Sequence, residues 1–230
     1  MRTKMSKTGS EGFSLFELVI AMTITLVLTG LASILLAGSF SARGRENQRT
    51  EALADAQRGL NIMTREIANS GYGLTDNGIV AADSGLDSIR VRANLNAALG
   101  ETTSNTASDR DEDVKYLLYT ESGKSYIVRL DINSSASEMV LANRVDALKI
   151  RYYGDKVTYQ ASNCDITNVR DSYGNPAGEV ASKSAAKYIV LSICVNLPAV
   201  STPGAPGYQP SSSVQLVSDI ALRNSELYNY

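Results

Sequence analysis

The residue whose chemistry fits its surroundings least well is Glu17, because it lies beside a long apolar stretch. Leu18 to Ala42 is a run of 25 residues without a charge, and Glu17 stands directly before it, five residues after Gly12. Placing Asp at the middle of a membrane helix costs about 3 kcal/mol on insertion scales, and Glu should be comparable. A carboxylate retained at this position therefore requires a functional explanation.

A second group of carboxylates, Asp109, Asp111 and Asp113, stands at alternate positions of an acidic run. Carboxylate oxygens are calcium ligands, but the run lacks the glycine and the distal Glu of an EF-hand loop. We therefore predict a solvated acidic loop and no metal site, and these three residues are the candidates should calcium bind.

The composition argues against an enzyme. The chain has no histidine, so Ser–His and Cys–His arrangements are not possible, and no phosphate-binding glycine motif occurs. Acidic residues are too scattered to nominate a glycosidase pair. We predict neither catalytic residues nor a cofactor. With 22 basic against 24 acidic residues, no basic face for nucleic acid is expected either.

Two cysteines, Cys164 and Cys194, are present. An even pair in an exported domain suggests one disulfide, and two buried free thiols are the alternative. The bridge would close a loop of about 30 residues, contributing about 3–4 kcal/mol in the chain-entropy model.

Residues 13–40 form the one long apolar stretch, about 42 Å as a helix, which is enough to span a bilayer. A cleaved secretory signal and a plain membrane anchor both fit this stretch, but both leave Glu17 unexplained. The basic residues before it place the N-terminus in the cytoplasm and the remainder outside in either case.

The run Gly12-Phe13-Ser14-Leu15-Phe16-Glu17 and the apolar helix after it resemble the class III signal of type IV prepilins and pseudopilins. The resemblance implies that prepilin peptidase cuts between Gly12 and Phe13 and methylates the new amino group of Phe13. In the assembled fibre Glu17 would pair with the Phe13 amine of a neighbouring subunit. Each charge is costly in lipid alone and far less so when paired.

The helical pattern continues from Ser41 to Asn69, where Gly71 and Gly73 interrupt it. Apolar residues recur there at spacings of 3, 4, 3 and 4, which is one stripe on a helix: Leu53, Ala56, Leu60, Met63 and Ile67. We predict one helix of about 55 residues whose second half packs on the C-terminal domain.

After residue 71 the pattern favours an antiparallel sheet with one packed face and one wet face. Strands are predicted at 88–92, 114–120, 125–130, 138–142, 145–153, 187–197 and 214–220, and loops at 154–186 and 198–213. The predicted fold class is therefore α+β, and the resemblance to prepilins implies a pilin-like arrangement with the long helix packed on the antiparallel sheet. Its parts are a leader (1–12), an assembly half of the helix (13–40), an amphipathic half (41–70) and a β-rich domain (71–230).

Within the family, the chain resembles PilW-like minor pilins and PulJ-type minor pseudopilins. The resemblance implies a single-pass protein of the bacterial inner membrane, with its C-terminal domain in the periplasm, that later enters a pilus or pseudopilus. The partners it implies are prepilin peptidase, other minor and major pilins or pseudopilins, the inner-membrane assembly platform and the lipid bilayer. A minor pseudopilin of type II secretion, or an adhesin carrying a prepilin leader, remains an alternative.

Overall fold

The computed structural model describes residues 12, 14–96, 106–134, 138–205 and 207–225 of the 230-residue chain. The chain divides into two compact units. The first holds the residues up to Arg45 together with Ala199–Pro210, and the second holds Glu46–Pro198 and the residues from Ser211 onward.

The predicted long helix is confirmed as α1, which runs from Leu15 to Ala68 over 54 residues. The amides of Asn69 and Ser70 close its last turn by donating to the carbonyls of Glu66 and Ile67. Gly71 then takes a φ of +80°, and a side chain there would collide with the Asp76 carbonyl. Only glycine suits both demands, so the helix ends where the sequence indicates.

Nine strands follow among the described residues. In chain order they are β1 (Ser88–Arg92), β2 (Asp113–Glu121), β3 (Lys124–Asp131), β4 (Glu138–Asn143), β5 (Ala147–Tyr153), β6 (Thr158–Ser162), β7 (Asp165–Arg170), β8 (Tyr188–Leu197) and β9 (Ser212–Ala221). Short 3₁₀ turns occur at Ala81–Asp83 and Lys183–Ala185. Strands β1 to β4 form one antiparallel sheet in sequence order, whereas β5, β8 and β9 form a second with β8 in the middle.

The apolar stripe on the second half of α1 is buried, as predicted, at Ala56, Leu60, Met63 and Ile67. Ala52 is also buried, whereas Leu53 is only partly covered. The stripe belongs to one hydrophobic core that includes residues of both larger sheets, such as Ile127 on β3 and Ile189 on β8, among many others. This core is the main attachment of the helix to the β-structure.

The predicted wet face of the sheet is wrong for β8, where every residue except Asn196 is buried. The predicted loop 154–186 contains the β6–β7 hairpin, which covers that second face. Val157 and Ile166 pack there with Tyr153, Tyr188 and Val190 as a second apolar cluster. A hairpin with mostly polar strands therefore supplies the cover that makes β8 a central strand with apolar contacts on both faces.

Ser218 interrupts the apolar pattern of β9 for a reason that the structure makes plain. Its hydroxyl oxygen lies 3.1 Å from that of Thr64 on α1, so two polar groups at the helix–sheet contact satisfy each other. A buried hydroxyl without such a partner would weaken the contact.

Candidate functional site

The first turn of α1 is built around Ser14 and Glu17. The Ser14 carbonyl accepts the first helical hydrogen bond, from the Leu18 amide at 3.2 Å. The Ser14 amide donates to Oε2 of Glu17 at 3.0 Å. This is one half of a capping box, in which a Glu three residues into the helix satisfies the amide of the capping residue.

Glu17 therefore has a structural function that the sequence analysis missed. The signal was present as Ser14-Leu15-Phe16-Glu17, the Ser-x-x-Glu pattern of a capped helix. An ionised carboxylate has two oxygens and about four acceptor positions. One amide therefore leaves Glu17 able to accept a further charged donor.

The predicted cleavage lies between Gly12 and Phe13. Gly12 is described and exposed, whereas Phe13 lies outside the described residues. The predicted leader, residues 1–12, is described at Gly12 alone. The peptidase site and the methylated amine stay predictions from the sequence.

The apolar segment that follows Glu17 is exposed from Leu18 to Ala37. Every residue from Ser14 to Ala37 is exposed, including the large side chains Leu26, Leu31 and Leu35. By length and composition, α1 can cross a membrane. An apolar surface of this extent is characteristic of a helix that meets lipid or other apolar helices.

Hydroxyl groups inside this segment are satisfied without any partner outside the helix. Thr25, Thr29 and Ser33 each donate at 2.8 Å to the carbonyl four residues earlier, and Thr23 donates to Ile20 at the same distance. Back-bonding of this kind lets small polar residues remain in an apolar environment.

The loop that joins β8 to β9 contacts α1 within the first compact unit. Gly207 lies so close to Ser41 that a Cβ atom on it would be 2.7 Å from the Ser41 hydroxyl oxygen, and its φ is +79°. Arg45, which is buried, donates from Nη2 to the Pro210 carbonyl at 2.8 Å. The loop predicted at 198–213 therefore packs on α1 near Ser41 and Arg45, at the end of the apolar segment.

In the second unit, a polar network holds the end of α1 to the four-stranded sheet. Arg129 on β3 donates from Nε to Glu66 of the helix at 3.0 Å, and its Nη2 lies 2.9 Å from Asp111. The Tyr116 hydroxyl on β2 donates to the same Glu66 carboxylate. Burial, together with the neighbouring Glu66 charge, raises the pKa of Tyr116 well above its usual range, so the phenol stays a donor.

In the structure each of the three candidate carboxylates, Asp109, Asp111 and Asp113, has a partner within the protein. Asp113 is paired with Arg90 at 2.7 Å, Asp111 is paired with Arg129, and Asp109 accepts from the Asn96 side chain at 2.6 Å. Among the described residues, no group of three or more acidic, histidine or cysteine side chains is placed to hold a metal ion. The carboxylates serve as structural acceptors, since two of the three are already bound by arginine.

Cys164 and Cys194 are joined in a disulfide with their Cα atoms 5.2 Å apart. Cys164 occupies the turn of the β6–β7 hairpin, and Cys194 lies on β8. The Gln215 side chain on β9 also donates to the Asp165 carbonyl at 2.7 Å. The bridge and this hydrogen bond fasten the hairpin turn to the three-stranded sheet.

Comparison of the chain with protein-family models, with curated proteins and with solved structures gave no match. The site therefore has to be interpreted from its own residues. Those residues give a helix start capped by a carboxylate that has acceptor capacity for a further donor, an exposed apolar helix surface and a folded α+β domain.

Proposed function

We propose that this chain is a minor type IV pilin of the PilW-like kind, which inserts in the bacterial inner membrane and helps to initiate pilus assembly. The observation that carries the proposal is an apolar, exposed helix segment with one carboxylate, Glu17, in its first turn. The same chemistry would serve a minor pseudopilin of type II secretion, which differs in the fibre that it joins.

In this proposal the exposed apolar segment of α1 has two successive environments. Before assembly it lies in lipid, with its hydroxyls bonded to its own carbonyls. In the fibre it packs against the apolar helices of neighbouring subunits. The large area of exposed apolar surface supplies the attraction in both cases.

The charge on Glu17 would then set the register between subunits. Cleavage after Gly12 creates an ammonium group on Phe13, one helical turn from Glu17. A neighbour offset along the fibre axis brings its Phe13 amine to the Glu17 oxygen that the Ser14 amide leaves open. Two charges that are each costly in an apolar environment become tolerable as a pair.

The test separates the charge of Glu17 from its capping function. Glu17→Gln keeps a side-chain oxygen for the Ser14 amide but removes the charge, whereas Glu17→Ala removes both. We expect both variants to insert and to be cleaved normally. Both should enter fibres at least about tenfold less than the native chain, because an unpaired charge in a buried site costs well over 1.4 kcal/mol.

The measurements are mass spectrometry of the mature N-terminus and quantification of the subunit in purified fibres. The native chain should begin at methylated Phe13, and Gly12→Ala should retain the leader. A native N-terminus elsewhere would refute the cleavage site. Normal fibre incorporation of Glu17→Gln would refute the charge pairing and leave Glu17 with capping alone.

A further inference from the structure

A cavity of about 480 Å³ opens between the end of α1 and the four-stranded sheet, entirely within the second compact unit. Its apolar lining includes Ile62, Val91 and Val114. Leu95 and Met139 also line it, although they are 49% and 48% exposed. The volume falls within the range of sites that hold small organic ligands.

The acidic groups of this cavity are already engaged. Glu66 and Asp111 are paired with Arg129, as described above. The Glu112 carboxylate accepts the backbone amides of Leu95 and Asp109, at 2.8 and 3.0 Å. A bound cation would therefore have to displace existing partners.

The basic groups are not equally engaged. The Nε atom of Arg92 is buried and has no hydrogen-bond partner among the described residues. Its Nη2 atom lies 3.5 Å from Asp76, a long contact with a half-exposed carboxylate. Arg65, which is exposed in the last turn of α1, forms no ion pair or side-chain hydrogen bond within the described part of the chain.

A buried guanidinium donor without an acceptor is unfavourable, since almost all buried polar groups in proteins are paired. Here the unpaired donor lines a cavity large enough for a ligand. An anion that reaches Arg92 Nε would satisfy it. Guanidinium groups bind carboxylates through two parallel hydrogen bonds, so Arg92 is suited to that geometry.

The negative end of the α1 dipole points toward this region, which would oppose an anion. The carbonyls that carry this partial charge are largely occupied. The Ala68 carbonyl accepts the Arg223 amide at 3.1 Å, and the Asn224 side chain donates to the carbonyls of Asn69 and Ser70. The cavity lining carries four arginines against three carboxylates, so its formal charge is slightly positive and favours an anion.

From these contacts we propose that the cavity binds a small organic carboxylate with an apolar body. The carboxylate accepts from Arg92, with Arg65 as a second cation nearby, and the apolar body lies against Val91, Val114 and Met139. The apolar lining distinguishes such a ligand from inorganic phosphate, which is strongly hydrated and has no apolar part. This site is independent of the N-terminal assembly chemistry.

The experiment uses the full chain in lipid nanodiscs, labelled with ¹⁵N at arginine, and 3-phenylpropionate as the probe. The Arg92 Nε–Hε resonance should shift saturably on titration. The matched alcohol 3-phenylpropan-1-ol and inorganic phosphate should each bind at least about tenfold more weakly, since each lacks one half of the recognised chemistry.

Arg92→Gln should weaken binding of 3-phenylpropionate at least about tenfold. Arg58→Gln, at an exposed position of α1 outside the cavity, should not change it. Circular dichroism checks that both variants fold. If Arg92→Gln does not fold, the titration of the native chain still tests the proposal. Equal binding of the alcohol or of phosphate, or no saturable shift, would overturn the proposal.

Discussion

The two halves of α1 show how differently one helix can use its apolar residues. From Ser14 to Ala37 every residue is exposed, although this half is the more apolar one. From Ala52 to Ile67 a single stripe is buried in the core of the β-domain, and the other faces are polar. Burial in this helix therefore follows from what packs beside each half and not from its hydrophobicity.

Polar groups differ between the halves in the same way. In the first half, hydroxyls bond to carbonyls of the same helix, as Thr25 and Thr29 do. In the second half, Thr50 still bonds to the carbonyl of Glu46. Thr64, however, contacts the Ser218 hydroxyl on β9, and Glu66 accepts from Tyr116 on β2. The first half satisfies its hydrogen bonds alone but leaves its apolar surface uncovered, as a helix that can cross a membrane does.

The largest effect that should separate the halves comes from deleting one large apolar side chain in each. Met63 is 0% exposed and Leu28 is 60% exposed. We expect Met63→Ala to lower the free energy of unfolding of the β-domain by about 3 kcal/mol, because it leaves a cavity in a closed core. Urea titration of the chain in nanodiscs, followed by near-ultraviolet circular dichroism, measures this change.

Leu28→Ala is the matched control for this experiment. It should leave the free energy of unfolding of the β-domain within about 0.5 kcal/mol of the native value, since its side chain contacts no core. Equal losses in the two variants would mean that the apolar half also contributes to the stability of the domain.

A smaller effect should follow from removing the arginine that joins α1 to the four-stranded sheet. The Arg129 side chain is 7% exposed, and it pairs with both Glu66 and Asp111. We expect Arg129→Met to cost about 2 kcal/mol, below the usual range for a buried pair because both carboxylates can regain some water. Thermal unfolding at neutral pH tests this value. The control is Arg58→Met, which replaces an exposed arginine on α1.

The opposite result for Arg129→Met, a gain in stability, would also be informative. If Arg129→Met is more stable than the native chain, the desolvation of the guanidinium outweighs its two pairings. The apolar stripe alone would then hold the second half of the helix to the sheet.

The smallest effect concerns alkaline pH and acts on the β-domain alone, since α1 contains no tyrosine. Burial raises the pKa of Tyr153 to about 12, and burial with the nearby Asp219 does the same for Tyr188. The folded pKa values lie above the ordinary value of about 10. The stability they contribute is therefore complete below pH 10 and is lost as the pH rises toward 12.

Tyrosinate absorbance at 295 nm, measured with the urea midpoint at each pH, detects this loss. Tyr188→Phe should flatten the fall in stability between pH 10 and 12. The helical signal of the apolar first half of α1 should persist throughout the titration. A midpoint that falls equally steeply in Tyr188→Phe would show that another group controls the alkaline transition.

Much of the fold could be predicted from the sequence because the responsible interactions are local or periodic. The stripe from Ala56 to Ile67 and the glycines after it define the second half of α1. The Ser122-Gly123 turn joins β2 to β3 as expected, since both residues take a positive φ and match the twist of a hairpin.

The β6–β7 hairpin could not be predicted in this way. Its turn is Asn163-Cys164, with φ values of +53° and +64°, where a two-residue turn of this kind usually has a glycine second. A cysteine in place of that glycine gives no turn signal in the sequence. The flanking strands are mostly polar and show no clear alternation of apolar and polar residues. Its cover over Tyr188 and Val190 is a long-range contact that local pattern does not encode.

The candidate site was predictable to a similar extent. The position of Glu17 next to an uncharged run was visible, and so was the Ser14–Glu17 capping pattern, although we interpreted only the charge. The partners of Asp111 and Asp113 were not visible, because Arg129 and Arg90 are brought to them by strand pairing. Acidic residues that are close in sequence thus proved to be acceptors for separate arginines.

The link between Cys164 and Cys194 makes the covering of one apolar surface depend on redox chemistry. The turn that carries Cys164 belongs to the hairpin that shields the back of β8, and the bridge ties that turn to β8 itself. With both thiols reduced, noncovalent contacts alone hold this shield, among them the Gln215–Asp165 hydrogen bond and the Arg151–Asp165 ion pair. Oxidation of the two thiols is therefore the step that fixes the hairpin covalently over the back of the sheet, and opening of the hairpin before that step exposes the apolar cluster beneath it to solvent.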